Sequence, residues 1–384
     1  MKILRRILTA ALIGLFCSGL VFSQQMGDYR SVATGNWSDA ATWEMFDGAN
    51  WVAASTAPTG TETITVFDTD TVRVDVAVSI PGYVKVMDNG VVEVTTGSME
   101  FTNGSTYEHA RNAGSMPVAV WQEGSNALFT GITSTAPDNR GQDYYNIILN
   151  TPDLTSNCDL SLNDHTIGGN ITVINTGSAR WQMVGGSSGI VTIMGDVIIQ
   201  AGQFATQGTG SATDVVVNHY GNIIVTGGNF SISRGSQSSG TGTTTWNLFK
   251  GNFTMSNATT QNSNPTPGHA KFVFAKQDTQ QITFDNVTYG GQIHFEVSDS
   301  TILEITKDFI INGSFVNRGE VLPLGTLTVL DGAVYEHARD GGSVPLATWD
   351  VGSTFLLTGS LFTSSNRTMA LVDVLSRSTS GRTA

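Results

Sequence analysis

The sequence predicts an all-β protein, a right-handed parallel β-helix or closely related β-solenoid with turns about 24–30 positions long. Three observations carry this expectation. A short phrase recurs at nearly constant spacing, the composition favours strands and corners, and no helical period is sustained after Ser23.

The phrase is a turn residue, a polar residue, then apolar-x-apolar. It runs Gly169-Asn170-Ile171-Thr172-Val173, Gly195-Asp196-Val197-Ile198-Ile199, Gly221-Asn222-Ile223-Ile224-Val225 and Gly251-Asn252-Phe253-Thr254-Met255. Weaker copies are Gln280-Gln281-Ile282-Thr283-Phe284 and Lys307-Asp308-Phe309-Ile310-Ile311, and Tyr145-Asn146-Ile147-Ile148-Leu149 precedes them. One phrase per turn stacks like residues on like. Ile171, Val197, Ile223, Phe253, Ile282 and Phe309 are expected to form one interior column, and Val173, Ile199, Val225, Met255, Phe284 and Ile311 the next. Glycine at the head of each phrase is expected to supply the positive φ of a corner. A multi-stranded β-sandwich is the alternative, since turn signals also recur about every 8–12 residues.

Composition agrees with many short strands. Charged residues are 13%, Gly occupies 43 positions, and Thr, Ser, Asn and Val fill much of the remainder. Lys2, Arg5 and Arg6 followed by an apolar run over Ile7–Phe22 have the layout of a secretory signal peptide, 1–23. Phe16 before Cys17 argues for cleavage rather than a lipid anchor. Cleavage leaves Cys158 alone, so no intrachain disulfide is expected and this thiol reads as a small buried hydrophobe. The formal charge of −13 becomes −16 once the three basic residues leave. Such a chain repels nucleic acid, and no later segment is apolar enough to span a bilayer.

A longer repeat overlies the first. Gly97–Gly131 aligns without gaps to Gly325–Gly359, with Tyr107-Glu108-His109-Ala110-Arg111 against Tyr335-Glu336-His337-Ala338-Arg339 and Trp121 against Trp349. The segments then read as 24–96, an N-terminal β segment and solenoid cap; 97–140, the first copy; 141–324, solenoid rungs; 325–365, the second copy; and 366–384, an irregular tail.

The element Tyr-x-His…Gly-Ser-x-Pro-x-Ala-x-Trp…Gly-Ser…Thr-Gly resembles a recurrent part of large bacterial surface proteins exported by type IX secretion. The opening Ala33-Thr34-Gly35-Asn36-Trp37-Ser38-Asp39-Ala40-Ala41-Thr42-Trp43 is similar to the start of their β-helical regions. The resemblance implies an extracellular or outer-surface location in a Gram-negative bacterium. The C-terminal sorting domain typical of these proteins has no counterpart here, so the resemblance implies a truncated product.

Candidate chemistry is sparse. Tyr107, His109, Arg111 and Trp121, with Tyr335, His337, Arg339 and Trp349, are candidate binding residues, because alternate strand positions share a face. A site duplicated intact is expected to be structural instead. Trp37, Trp43 and Trp51 suit a sugar platform or, more simply, the cap of a solenoid end. Asp68 and Asp70 alternate and could share a face as a Ca²⁺ or acid–base pair, but no calcium loop accompanies them, so no cofactor is expected. His165, His219, His269 and His294 lack metal-ligand spacing. Gly185-Gly186-Ser187-Ser188-Gly189 has the letters of a nucleophile elbow, yet a strand rather than a helix is expected after it. Gly235–Gly242 reads as a plain loop. The expected function is a non-catalytic structural or adhesion protein that presents a rigid face, with weak contacts to extracellular polysaccharide or neighbouring surface proteins. A β-helical polysaccharide lyase or glycosidase is the alternative.

Overall fold

Alternation of buried and outward residues, three to five at a time, makes short strands that cannot bury an apolar face alone. Stacking them solves the problem. In the computed structural model, which describes residues 24–207, 213–233, 242–264, 266, 268–359, 361–364 and 367–370, half of the chain is strand and 1% is helix. The strands form a β-solenoid of about 12 turns.

A central coil has three sides, Ile171–Asn175, Arg180–Val184 and Gly189–Ile193. Each side pairs in parallel with the same side of the next coil: Ile171 with Val197, Trp181 with Phe204, and Val191 with Val217. Parallel pairing through successive phrases excludes the sandwich. The interior columns continue through Ile147, Ile171, Val197, Ile223, Phe253 and Ile282, all buried.

Below Ile282 the expected register fails. Ile282 pairs with Ile305, not Phe309, while Phe309 and Ile311 open another side and pair with Leu327 and Val329. Ile302–Ile305 is itself an alternating strand and takes the place beneath Thr279–Ile282, so this coil is shorter than those above it. Phe309 is still buried, 5.5 Å from the Phe284 ring.

Coil length varies widely. Towards the N-terminal end the column steps from Ile64 to Val84, Tyr107, Ala127 and Ile147, and these coils are short. In the middle it steps from Ile171 to Val197, Ile223 and Phe253, and each coil there holds more chain. Tyr335 falls midway along the chain between its partners Phe315 and Phe355, so the coils are short again. The duplicated elements are therefore coils of the solenoid itself, at its two short-period ends.

The heads of the phrases also differ from expectation. Gly195, Gly221 and Gly251 do not have positive φ. A Cβ on Gly221 would lie 2.0 Å from the Gly195 oxygen, and one on Gly251 would lie 1.8 Å from the Gly221 oxygen. Close approach of stacked backbones, not turn conformation, requires glycine here.

The N-terminal end is closed by antiparallel pairing. Tyr29–Ser31 pairs in parallel with Thr63–Val66 on one side and antiparallel with Trp43–Phe46 on the other, and Trp51–Ala53 extends that sheet. This converts a growing parallel edge into a finished one. Residues 1–23, with Cys17, lie outside the described residues, as do 371–384 and almost all of Gly235–Gly242. Among the described residues no helix is long and apolar enough to cross a membrane.

Candidate functional site

The duplicated element is the most distinctive feature of the chain, and its geometry repeats with its sequence. Tyr107 pairs with Ala127 and His109 with Phe129; Tyr335 pairs with Phe355 and His337 with Leu357. His109 Nε2 lies 2.8 Å from the Ala113 carbonyl oxygen, and His337 Nε2 lies 2.9 Å from that of Gly341. A carbonyl only accepts, so Nε2 carries the proton in both copies. Arg111 Nη1 donates to the Gly90 carbonyl at 2.6 Å, and Arg339 Nη1 donates to that of Gly319. Thr130 donates to Glu108 at 2.7 Å, and Thr358 donates to Glu336 at 2.6 Å. Each group ties one coil to itself or to a neighbour.

These residues are largely enclosed. Tyr107 and His109 are fully buried, Tyr335 and His337 nearly so, and Trp121 is buried under Tyr144, whose ring is 4.9 Å away. Burial pushes the His109 imidazole down to about 4, with Arg111 adding to the effect and the bond to Ala113 opposing it. A neutral histidine whose Nδ1 accepts from the Tyr107 hydroxyl at 3.1 Å has no lone pair left for a substrate proton.

The copies differ in position. The first places its Tyr-x-His strand on the side that continues into Asn146–Asn150 and Ile171–Asn175. The second places it on the nine-stranded sheet that contains Gly189–Ile193 and Val215–His219. One unit therefore occupies two different sides of the solenoid.

The three N-terminal tryptophans lie in the cap. Trp37 and Trp43 are buried with ring centroids 5.3 Å apart, and Trp43 Nε1 donates to the Trp37 carbonyl at 2.9 Å. Trp51 is half-buried beneath the Arg30 guanidinium at 4.6 Å, while Arg30 also donates twice to Glu44. Neither Trp37 nor Trp43 offers a ring face to a ligand.

Asp68 and Asp70 do not share a strand face. They sit in the turn between Thr63–Val66 and Thr71–Val74, with Asp68 at φ 59°. No group of three or more His, Cys, Asp or Glu able to hold a metal ion occurs among the described residues. Gly189–Ile193 is the strand expected after the Gly-x-Ser-x-Gly letters. Cys158 is buried and free, its thiol pushed up to about 11 by burial and by the neighbouring Asp159.

Sequence reasoning missed a ladder. The backbone N–H of Asn170 donates to Asn146 Oδ1 at 2.8 Å, that of Asp196 to Asn170 Oδ1 at 2.7 Å, and that of Asn222 to Asp196 Oδ1 at 2.6 Å. Asn252 donates to Asn222 Oδ1 at 3.0 Å, and Gln281 to Asn252 Oδ1 at 2.9 Å. The polar residues Asn146, Asn170, Asp196, Asn222 and Asn252 each cap the backbone of the following coil, where strand pairing has ended. The signal was in the sequence: the second letter of the phrase is Asn, Asp or Gln in every one of these coils.

These features define a parallel β-solenoid with a closed N-terminal end and a coil-joining unit used twice. Comparison with protein-family models, with curated proteins and with solved structures found no match.

Proposed function

We propose that this chain is a secreted or cell-surface structural and adhesion module of a Gram-negative bacterium, a rigid rod that presents weak, repeated contacts. The observation that carries the reading is the use of its most distinctive residues. His109, Arg111, His337 and Arg339 each donate to a backbone carbonyl, so both copies of the motif serve coil joining. General acid–base catalysis needs two titratable groups converging on one reacting atom. The motif histidines, His109 and His337, are instead enclosed. The resemblance to type IX-secreted surface proteins supports an outer-surface location, and the layout of residues 1–23 supports export.

Two measurements test the proposal. Protease treatment of intact cells is expected to remove the protein; its recovery in the cytosol with residues 1–23 still attached would sink the reading. Purified mature protein is expected to release no reducing ends or unsaturated sugars from neutral or acidic polysaccharides. Turnover that disappears in Asp68→Asn/Asp70→Asn would establish the enzyme alternative.

A further inference from the structure

The ladder leaves an unusual strip on the outside of the solenoid. Ile148, Thr172, Ile198, Ile224 and Thr254 occupy successive coils in one outward column, paired in register and half-buried. The ladder of Asn146, Asn170, Asp196, Asn222 and Asn252 borders it on one side. At about 4.8 Å per coil the column runs for about 19 Å. Within this column and its ladder Asp196 is the one formal charge. The nine-stranded sheet differs, with outward Lys271, Glu296 and Arg318 joined by salt bridges.

Two properties limit what such a strip accepts. The chain carries a net charge of −13, so an acidic polymer or a second acidic copy meets repulsion that a neutral partner does not. The strip is also amphipathic. Isoleucine side chains supply apolar contact, while Asn170 Nδ2 and Asn252 Nδ2 make no hydrogen bond among the described residues and remain available as donors. A pyranose has the complementary make-up: a C–H face and a rim of hydroxyls. We propose that this strip binds a neutral polysaccharide lying along the solenoid axis, each coil contributing one weak contact to a summed affinity. The proposal rests on the adhesion reading and assigns that role a face.

The test uses the full mature chain in affinity electrophoresis with mannan and a β-glucan as neutral polymers and polygalacturonate as the acidic one. Retardation by a neutral polymer alone is expected. Ile198→Lys/Ile224→Lys, shown by circular dichroism to keep its strands, should weaken retardation by about tenfold or more. Thr245→Lys, on the nine-stranded sheet, should leave it unchanged. Undiminished binding by the double variant would remove the strip while leaving the adhesion reading intact. Retardation by polygalacturonate alone, or by no polymer, would overturn the proposal, and the protease test on cells then judges the adhesion reading separately. Sedimentation provides the last check: a wild-type dimer that the double variant dissociates would assign the strip to self-association instead.

Discussion

Trp121 and Trp349 occupy equivalent places in two copies of one motif, yet Trp121 is 8% exposed and Trp349 38%. Both pair with the preceding coil, Trp121 with Phe101 and Trp349 with Val329, and each ring meets its own tyrosine, Tyr107 or Tyr335, edge-on at 6.2 Å. Only Trp121 has a ring to stack on, that of Phe101 at 4.6 Å. The contacts with the following coil differ too. In the first copy Gln142 accepts from Trp121 Nε1 at 3.1 Å and Tyr144 packs against the ring. Trp349 has neither contact among the described residues, and Val344 beside it is exposed where its counterpart Met116 is buried. A coil thus draws part of its burial from the coil that follows it, as Trp121 does from Gln142 and Tyr144. In both copies the histidine and the arginine keep their bonds to carbonyl oxygens. Stability in such a stack is a sum of each unit and its interfaces, so two copies of one motif need not contribute equally.

The strongest way to break this comparison is to remove the two tryptophans in turn. Trp121→Ala should cost about 3–5 kcal/mol, since it opens a cavity between two coils and removes one of the two donors to Gln142 Oε1, the other being the Ala119 N–H. Trp349→Ala should cost about 1 kcal/mol, because less burial is lost. Urea unfolding followed by circular dichroism measures both, and equal costs would show that the second copy is covered as well as the first.

Acid sharpens the comparison next. Burial holds His109, His219 and His294 down to about 4 in the folded chain. Unfolded, an imidazole takes up a proton near 6.5. Between these values the unfolded state binds more protons, so stability falls as pH drops from about 6.5 towards 4 and changes little above. Each histidine contributes on the order of 3 kcal/mol to that fall. His109→Gln should flatten the pH dependence of the urea midpoint in this window. An unchanged slope would mean that the first copy admits water to the ring.

The smallest effect concerns the paired glutamates. Glu108 is nearly buried, accepts from Tyr83 and Thr130, and lies 3.3 Å from Lys85, whereas Glu336 has Thr358 at an exposed position. Glu108→Gln should destabilise by about 1–2 kcal/mol. Glu336→Gln should fall within about 0.5 kcal/mol of wild type. The same unfolding curves resolve the difference, and reversed magnitudes would contradict the burial argument.

Much of this architecture was legible before any coordinates. The alternation in Ile171-Thr172-Val173 and its counterparts identified interior residues, because a period of two assigns faces without knowledge of neighbours. The gapless match of Gly97–Gly131 to Gly325–Gly359 foretold matching strands and the matching Nε2 contacts, but not Nδ1, which meets the Tyr107 hydroxyl in His109 and no partner among the described residues in His337. Local pattern could not determine register between coils. Lys307-Asp308-Phe309 has the letters of a phrase, yet Ile302–Ile305 lies closer to Ile282 along the chain and wins the pairing. Corners absorb extra chain at little cost, so coil length drifts from the short step between Leu303 and Val321 to the long one between Ile223 and Phe253.

The sequence by itself determined that this chain stacks short strands with named residues inward, since that requires only alternation, repetition and corner residues. The tertiary structure alone decided which strand lies under which, why glycine heads the phrase, and on which side of the solenoid each copy of the duplicated unit falls. Those are contacts between residues a full coil apart along the chain, such as the 1.8 Å from a Cβ on Gly251 to the Gly221 oxygen. They depend on how much chain each corner holds, and many corner lengths serve equally well.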